Sequence, residues 1–292
     1  MLHSTIMISH WILATRIKTL PVSLMPVLLG LSLSAKAPTY SHGVSAVIII
    51  TVLCIQIATN LANDYYDFVK GADTHDRVGP KRMTHEGHIT PTVMKRTSFI
   101  LFGVSLVGAG LLTIVGGWPI LAIGLLAVLF GWLYTGGPLP LAYIGGAEIV
   151  AFLFFGPVSV IGTVYLQTGQ WVWELAKIGS GIGLIVAAIL VVNNTRDIDT
   201  DQQANKKTWA VRFGRTASYI EYIALIYAPI FILDMLTDDH AVQMGLVLLL
   251  VFFGMILTRR FGRSTPVQMN RLLGLTSLYL MLYTSIAIYL LS

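Results

Sequence analysis

The sequence predicts an all-α polytopic membrane protein, with nine transmembrane helices packed in one bundle. Of its 292 residues, 55% are hydrophobic and only 11% are charged, whereas soluble domains carry about 25% charged residues. The mean hydropathy is +0.75. Apolar stretches of about 20 residues, the length that crosses the hydrocarbon core of a bilayer, recur along the chain. No water-soluble core needs this much apolar sequence.

Nine apolar stretches define the expected helices, and one domain of residues 1–292 contains them all. In chain order they cover residues 18–36, 44–64, 97–115, 118–135, 144–166, 173–194, 217–236, 240–258 and 270–291. The first follows Arg16 and Lys18, and no short apolar core with a small-residue cleavage pattern is present, so we interpret it as a membrane span and not as a cleaved signal.

The basic residues order these spans across the membrane. With a cytoplasmic N-terminus, an odd number of spans places the C-terminus outside. All of the 19 Lys and Arg residues except Lys36 and Lys177 then lie on the cytoplasmic side. Such a bias supports both the span count and the orientation. It also explains the net charge of +5, so no nucleic-acid partner is expected.

Two polar clusters end the second and sixth spans, which run in the same direction through the bilayer. The first contains Asn60, Asn63, Asp64 and Asp67, and the second contains Asn193, Asn194, Asp197 and Asp201. Residues three or four apart on a helix lie on one face, with Cβ atoms roughly 5–6 Å apart. Like charges at this spacing are unfavourable unless a cation bridges them. We therefore expect a site for Mg2+, which prefers oxygen ligands, at these two clusters. The alternative is that these residues only mark solvated helix ends.

Loops of mixed charge follow both clusters. Residues 64–96 carry six bases and five acids, and residues 196–215 carry five bases and three acids. Metal ions and basic side chains together can hold a diphosphate and stabilise the charge that grows as it departs. The candidate contacts are Arg77, Lys81, Arg82, Arg196, Lys206, Lys207 and Arg212. For any one of them, a role in topology or in binding anionic lipid is an alternative.

Longer sequence motifs around the two clusters resemble those of a known family. They are Lys18-Thr-Leu-Pro, Asn60-Leu-Ala-Asn-Asp-Tyr-Tyr-Asp continuing through Lys70 and Asp73 to Arg77, Tyr134-Thr-Gly-Gly-Pro, Tyr143-Ile-Gly, and Thr208 to Gly214. The pattern resembles the intramembrane aromatic prenyltransferase superfamily, whose members have nine helices. It is most similar to the branch that prenylates 1,4-dihydroxy-2-naphthoate in menaquinone synthesis. The similarity runs from about residue 12 to residue 215.

The resemblance implies an activity. Such enzymes ionise a Mg2+-bound polyprenyl diphosphate to an allylic cation, which an electron-rich ring carbon attacks. In the naphthoate branch that carbon loses its carboxylate as CO2, and the product is demethylmenaquinol. The implied setting is the bacterial cytoplasmic (inner) membrane, with membrane lipids as partners.

The resemblance also implies residue roles, within a first motif at residues 60–77 (motif 1) and a second at residues 193–207 (motif 2). Asp64, Asp67, Asp197 and Asp201 are the expected catalytic and metal residues. The expected substrate-binding residues are Lys18, Asn63, Lys70, Asp73, Arg77, Tyr134, Glu148, Asn194 and Arg196. Two of these depart from the family pattern. Gly136-Gly137-Pro138 stands where several relatives place a lysine after the tyrosine, and Glu148 follows Gly145-Gly146-Ala147 where relatives read Gly-Leu-Gly.

Two other functions remain open at the level of sequence. The first is prenyl transfer to 4-hydroxybenzoate or another phenol. The second is a cation-coupled transporter, which predicts acids near the bilayer midplane and discontinuous helices. The acids of this chain end the apolar stretches at one face, which favours an enzyme.

Overall fold

The computed structural model describes residues 2–72, 78–235 and 240–291, and its regular structure over these ranges is helical. The helices are α1 (Leu2–Thr15), α2 (Leu20–Ser34), α3 (His42–Val69), α4 (Pro91–Leu133), α5 (Leu141–Ile144), α6 (Ala147–Phe154), α7 (Pro157–Thr168), α8 (Leu175–Arg196), α9 (Ile198–Gln203), α10 (Trp209–Asp234), α11 (His240–Arg263) and α12 (Pro266–Leu291). A short 3-10 turn, Ile17–Thr19, joins α1 to α2. The all-α prediction is confirmed.

Eight segments of the described chain are long and apolar enough to cross a membrane. They are Ile8–Ser34, His42–Val69, Pro91–Leu133, Ala147–Thr168, Leu175–Arg196, Trp209–Leu233, Met244–Arg263 and Pro266–Leu291. The protein is therefore an integral membrane protein, as its composition predicts. One of these segments, α4, is 43 residues long, about twice the length that a bilayer requires.

The length of α4 is explained by a break at Gly117, whose backbone angles are φ 69° and ψ −166°. The two arms fold back on each other: a Cβ built on Gly124 lies 2.6 Å from the Cβ of Ala109, and one built on Gly131 lies 3.3 Å from the ring of Phe102. In a continuous helix Phe102 and Gly131 are more than 40 Å apart, at about 1.5 Å per residue. α4 is thus a helical hairpin whose arms match the third and fourth predicted stretches. The count of nine crossings and the side of each terminus stay predictions.

Helix α8, which carries the first residues of motif 2, lies at the centre of the bundle. It contacts α2, α6, α7, α9, α10 and α12, and Ile182, Ile185 and Val192 along it are fully or almost fully buried. α3, which carries residues 60–69 of motif 1, packs along both arms of α4. The two motifs therefore end helices that the rest of the bundle fixes in place.

Two sets of hydrogen bonds connect neighbouring segments of the chain near the ends of α3 and α8. The Asn60 amide donates to the Thr15 carbonyl at 2.9 Å and to the Thr19 hydroxyl at 3.2 Å, which ties the α1–α2 junction to α3. The backbone N–H of Lys207 donates to the Tyr143 carbonyl at 2.9 Å, which ties the segment after α9 to α5. We call this end of the bundle the motif end.

Candidate active site

A cavity of about 410 Å³ opens at the motif end, between α3 and α8. Motif 1 contributes Asn63 and Asp67 to its wall, and motif 2 contributes Asn193, Asn194, Arg196, Asp197, Asp201 and Lys206. Two segments that are distant along the chain thus meet around one space. We call this space the polar chamber.

Asp67 lies among cationic and phenolic groups in the wall of the polar chamber. One carboxylate oxygen accepts a hydrogen bond from Arg82 Nη2 at 2.8 Å. The other lies 3.4 Å from the Tyr143 hydroxyl and 3.6 Å from Lys206 Nζ. The side chains of Arg82 and Asp67 are 3% and 2% exposed. A carboxylate this deeply buried needs such partners, because an unpaired charge in the interior is costly.

Asp201 faces Asp67 across the ammonium of Lys206. Lys206 Nζ lies 3.2 Å from Asp201 and 3.6 Å from Asp67, so a single cation bridges the two motifs. Burial raises the pKa of the Asp201 carboxyl to about 6, and the nearby Lys206 ammonium only partly opposes this effect. The site therefore holds a carboxyl whose charge changes close to neutral pH.

Asp197 is held by the residue that precedes it. Arg196 donates from Nε at 2.8 Å and from Nη2 at 2.6 Å to the two carboxylate oxygens. The same guanidinium donates to Asn193 at 2.7 Å and to Asn270 of α12 at 2.9 Å. Arg196 was predicted to contact phosphate, yet its donors are directed at protein acceptors. These bonds orient Asp197, and Arg196 also lines the polar chamber.

Asp64 faces away from the polar chamber. Its two carboxylate oxygens accept hydrogen bonds from the backbone N–H groups of Met83, at 3.0 Å, and Thr84, at 3.1 Å. Asp64 is 2% exposed and lines neither cavity described for the protein. The structure gives it the task of anchoring residues 78–90 on α3, and this segment carries Arg82.

The remaining predicted residues are distributed around the chamber. Lys18 lines it. Lys70 points elsewhere: its Nζ donates to the Thr135 carbonyl at 2.7 Å and lies 4.4 Å from the centre of the Tyr143 ring. Burial lowers the pKa of Lys70, against the opposing effect of Asp67. The amide of Asn194 donates to Glu148 at 2.5 Å, so Glu148 reaches the chamber wall only through Asn194. Asp73 and Arg77 lie outside the described residues.

A second cavity of about 200 Å³ continues from the first into the bundle. Its walls include Val52, Ile55, Phe130, Phe154 and Leu190, and we call it the apolar chamber. The two chambers share six lining residues: Arg16, Thr19, Asn63, Tyr134, Asn193 and Leu273. A molecule with an anionic head and a hydrocarbon tail matches this pair of spaces.

The donors around the polar chamber suit a hard cation, because the side chains of Asn63, Asp67, Asp197 and Asp201 all offer oxygen. Within the described ranges, however, no three His, Cys, Asp or Glu side chains are close enough to hold an ion by themselves. A metal ion at these oxygens would therefore need further ligands from outside the described side chains. Magnesium typically binds in this way, with substrate phosphates and water completing its shell.

Two residues of this site, Arg16 and Asn270, lie outside the predicted set, and two others were candidates that the sequence did not single out. Arg16 lines both chambers and has a left-handed backbone conformation, with φ 53° and ψ 60°. Its position before the first span was visible in the sequence, but its backbone conformation was not. Arg82 and Lys206 were two among several basic loop residues. Asn270 lies beyond the segment that carried the resemblance, and only its polarity near the start of an apolar helix could have drawn attention to it.

Comparison with known proteins decides the family. A model described as the UbiA prenyltransferase family matches residues 23–288 of the chain. The chain belongs to the UbiA prenyltransferase family. It is a prenyltransferase, as the motifs suggested.

Similar proteins within this family include two enzymes that have the same name. A 1,4-dihydroxy-2-naphthoate octaprenyltransferase of Escherichia coli is 37% identical over 210 residues, which cover 70% of this chain and 68% of the relative. An enzyme of the same name from Mycobacterium tuberculosis is 32% identical over 218 residues, covering 75% and 74%.

Solved structures of the family share the fold. A UbiA homolog from Archaeoglobus fulgidus, described as bound to GPP and Mg2+, superposes with a TM-score of 0.69 at 15% identity, covering 96% of this chain and 99% of that chain. An apo UbiA homolog from Aeropyrum pernix K1 gives a TM-score of 0.70 at 13% identity, covering 92% and 98%. At these sequence identities, the similarity shows that the fold is shared.

Proposed function

We propose that this prenyltransferase transfers a polyprenyl group from polyprenyl diphosphate to 1,4-dihydroxy-2-naphthoate, with Mg2+ and with loss of diphosphate and CO2. The product is demethylmenaquinol, made in the bacterial cytoplasmic membrane by a single domain of residues 1–292. The observation that carries the proposal is the polar chamber, lined by acids and bases of both motifs, that continues into an apolar chamber. The names of the relatives supply the acceptor.

The polar chamber is the proposed diphosphate site. Asp67, Asp197 and Asp201, with the amide oxygen of Asn63, would hold Mg2+ against the diphosphate oxygens. The metal supplies Lewis-acid stabilisation of the departing diphosphate. Lys18, Arg16 and Lys206 line the same space and place positive charge around the leaving group. These positive charges favour ionisation because they stabilise the negative charge that grows on the departing diphosphate.

The apolar chamber is the proposed site of the isoprenoid tail. The carbon that becomes cationic then lies where the two chambers meet, beside Tyr134, which lines both. An aromatic ring face attracts a cation through its quadrupole. We assign Tyr134 this role, in place of a contact with diphosphate.

The acceptor ring must approach the same junction. Arg16 lies there and is the basic residue that both chambers share, so we assign it to the acceptor carboxylate, for which a guanidinium is well shaped. As the new carbon–carbon bond forms, the bond to the carboxylate carbon breaks, and its electron pair returns to the ring. Diphosphate keeps the electron pair of the broken carbon–oxygen bond. Glu148 positions Asn194 through the 2.5 Å hydrogen bond.

The test is an assay of the purified protein with Mg2+, a polyprenyl diphosphate and dihydroxynaphthoate labelled in its carboxyl group. We expect release of diphosphate and labelled CO2 in equal amounts, and no release after chelation of the metal. Replacing Arg16 with methionine should raise the KM for the naphthoate more than the KM for the diphosphate. Transfer to 4-hydroxybenzoate without transfer to the naphthoate contradicts the acceptor assignment. Metal-dependent ion flux in proteoliposomes without any chemistry contradicts the enzyme assignment and supports a transporter.

A further inference from the structure

We propose that Asn270 of α12 is a positioning residue that couples motif 2 to the segment of residues 78–90, and through it to motif 1. Asn270 lines the polar chamber, far along the chain from either motif. The coupling is a property of the fold. Its consequence for diphosphate binding rests on the proposed function.

Asn270 joins two distant parts of the chain with one amide group. Its Oδ1 accepts from Arg196 Nη1 at 2.9 Å, and its Nδ2 donates to the Val78 carbonyl at 2.9 Å. The orientation of the amide is unambiguous, because a guanidinium only donates and a backbone carbonyl only accepts. Both halves of the side chain are therefore used, one toward motif 2 and one toward the segment of residues 78–90.

On the motif 2 side, Asn270 completes the set of acceptors around Arg196. The side chain of Arg196 is 1% exposed, so water cannot easily replace a lost acceptor at Nη1. A buried donor of a charged group left without a partner is unfavourable, and the guanidinium will turn to relieve it. Since Arg196 holds both oxygens of Asp197, this movement displaces an expected metal ligand.

On the motif 1 side, Asn270 holds the start of the segment that carries Arg82. The contacts of Asp64 with Met83 and Thr84, and of Arg82 with Asn63 and Asp67, fasten this segment to α3. The contact of Val78 with Asn270 fastens it to α12 instead. Asn270 thus connects the ends of α3 and α8 by a route that does not depend on any ligand in the chamber.

Two substitutions separate the two halves of this role. Asn270→Asp keeps the acceptor for Arg196 but removes the donor to Val78. Asn270→Leu has the same branching at Cγ with a larger volume, and it removes both. Thr284→Val is the matched control on α12, because Thr284 is 1% exposed and its hydroxyl bonds only within the helix, to the Leu280 carbonyl.

The first measurement is hydrogen exchange by mass spectrometry on metal-free and substrate-free protein. We expect the peptide spanning residues 78–84 to exchange about tenfold faster in both Asn270 variants, since each loses a hydrogen bond that anchors the segment. We expect the peptide spanning residues 193–197 to be affected only in Asn270→Leu, and neither peptide to change in Thr284→Val. Unchanged exchange of 78–84 in Asn270→Asp, which preserves size and shape, overturns the coupling even if Asn270→Leu fails to fold.

The second measurement is steady-state kinetics. We expect Asn270→Leu to raise the KM for polyprenyl diphosphate about tenfold and to leave the KM for the acceptor unchanged, because only the diphosphate half of the site is displaced. A loss of folded protein with both KM values unchanged indicates a merely structural residue and overturns the positioning role. The two proposals fail separately. Faster exchange in an enzyme without naphthoate prenylation contradicts the proposed function alone, and an active enzyme with unchanged exchange contradicts the coupling alone.

Discussion

Replacing Asp64 with asparagine should loosen the segment of residues 78–90 instead of removing a ligand from the polar chamber. Both carboxylate oxygens of Asp64 accept backbone N–H groups, from Met83 at 3.0 Å and Thr84 at 3.1 Å. Asparagine retains one acceptor oxygen and directs its NH2 group at the other N–H. One hydrogen bond to a charged acceptor is therefore lost, and one buried donor is left without a partner.

The magnitude follows from these two bonds. A hydrogen bond to a charged group contributes about 1.5–3 kcal/mol, so we expect a local loss of about 2–3 kcal/mol. Since about 1.4 kcal/mol corresponds to a tenfold change in an equilibrium, exchange of the Met83 and Thr84 amides should accelerate roughly 30-fold to 150-fold.

The assay is hydrogen exchange by mass spectrometry on the peptide that contains Met83 and Thr84, with Mn2+ binding measured in parallel by electron paramagnetic resonance. Glu86→Gln is the control: its carboxylate lies in the same segment, 3.4 Å from Lys81, but this pair is exposed and exposed pairs contribute little. The reasoning is refuted if Asp64→Asn leaves exchange unchanged and weakens Mn2+ binding as strongly as Asp67→Asn does.

Three further predictions concern the chamber and its walls. Burial raises the pKa of Asp201 from 3.8 to about 6. The protonated carboxyl therefore contributes to the stability of the fold below pH 4, and this contribution is lost as the pH rises through 6. The carboxylate that a metal needs forms over the same pH range. Mn2+ affinity should therefore fall about tenfold per pH unit below 6, and Asp201→Asn should remove this dependence. Gly145→Ala should lower activity more than Gly87→Ala. Both glycines have positive φ, 80° and 73°, but of the two only Gly145 would bring a Cβ against a neighbour, the Lys207 carbonyl at 2.8 Å. Thermal unfolding should show that both variants lose about 1 kcal/mol of stability, because alanine is strained at positive φ. Tyr134→Phe should keep kcat within about threefold, whereas Tyr134→Leu should lower it about tenfold through loss of the ring face; equal losses in single-turnover assays argue against the ring face.

The helices could be predicted because their signal is local. An apolar stretch of sufficient length has few alternatives to a helix in a membrane. The expected stretches lie largely within helical segments of the described structure, although the stretch 144–166 is divided between α6 and α7. The break at Gly117 was anticipated only as the gap between two stretches. The backbone angles that make the turn, and the contact of Gly124 with Ala109, depend on how the two arms pack.

The membership of the site could be predicted only in part, because ion pairs join residues that are far apart in sequence. Spacing predicted that the acids of each motif share one helix face, but in the structure Asp67 lines the polar chamber and Asp64 does not. Spacing could not choose Arg82 from the bases of its loop, since that choice depends on how residues 78–90 fold over α3. Asn270 carried no motif at all, and its two partners are 74 and 192 residues away.

Asp64 and Asp67 show that two residues of the same type in one sequence motif can have different contacts. They are the same residue type, three positions apart and buried to the same degree, with 2% and 1% exposure. The oxygens of Asp64 accept hydrogen bonds from backbone N–H groups. Those of Asp67 instead contact the charged side chains of Arg82 and Lys206. A side-chain cation can yield its place to a metal or a phosphate group without unfolding the backbone, and a backbone N–H cannot. Because the partners of Asp67 are side chains, we expect Asp67 to be more available for chemistry than Asp64.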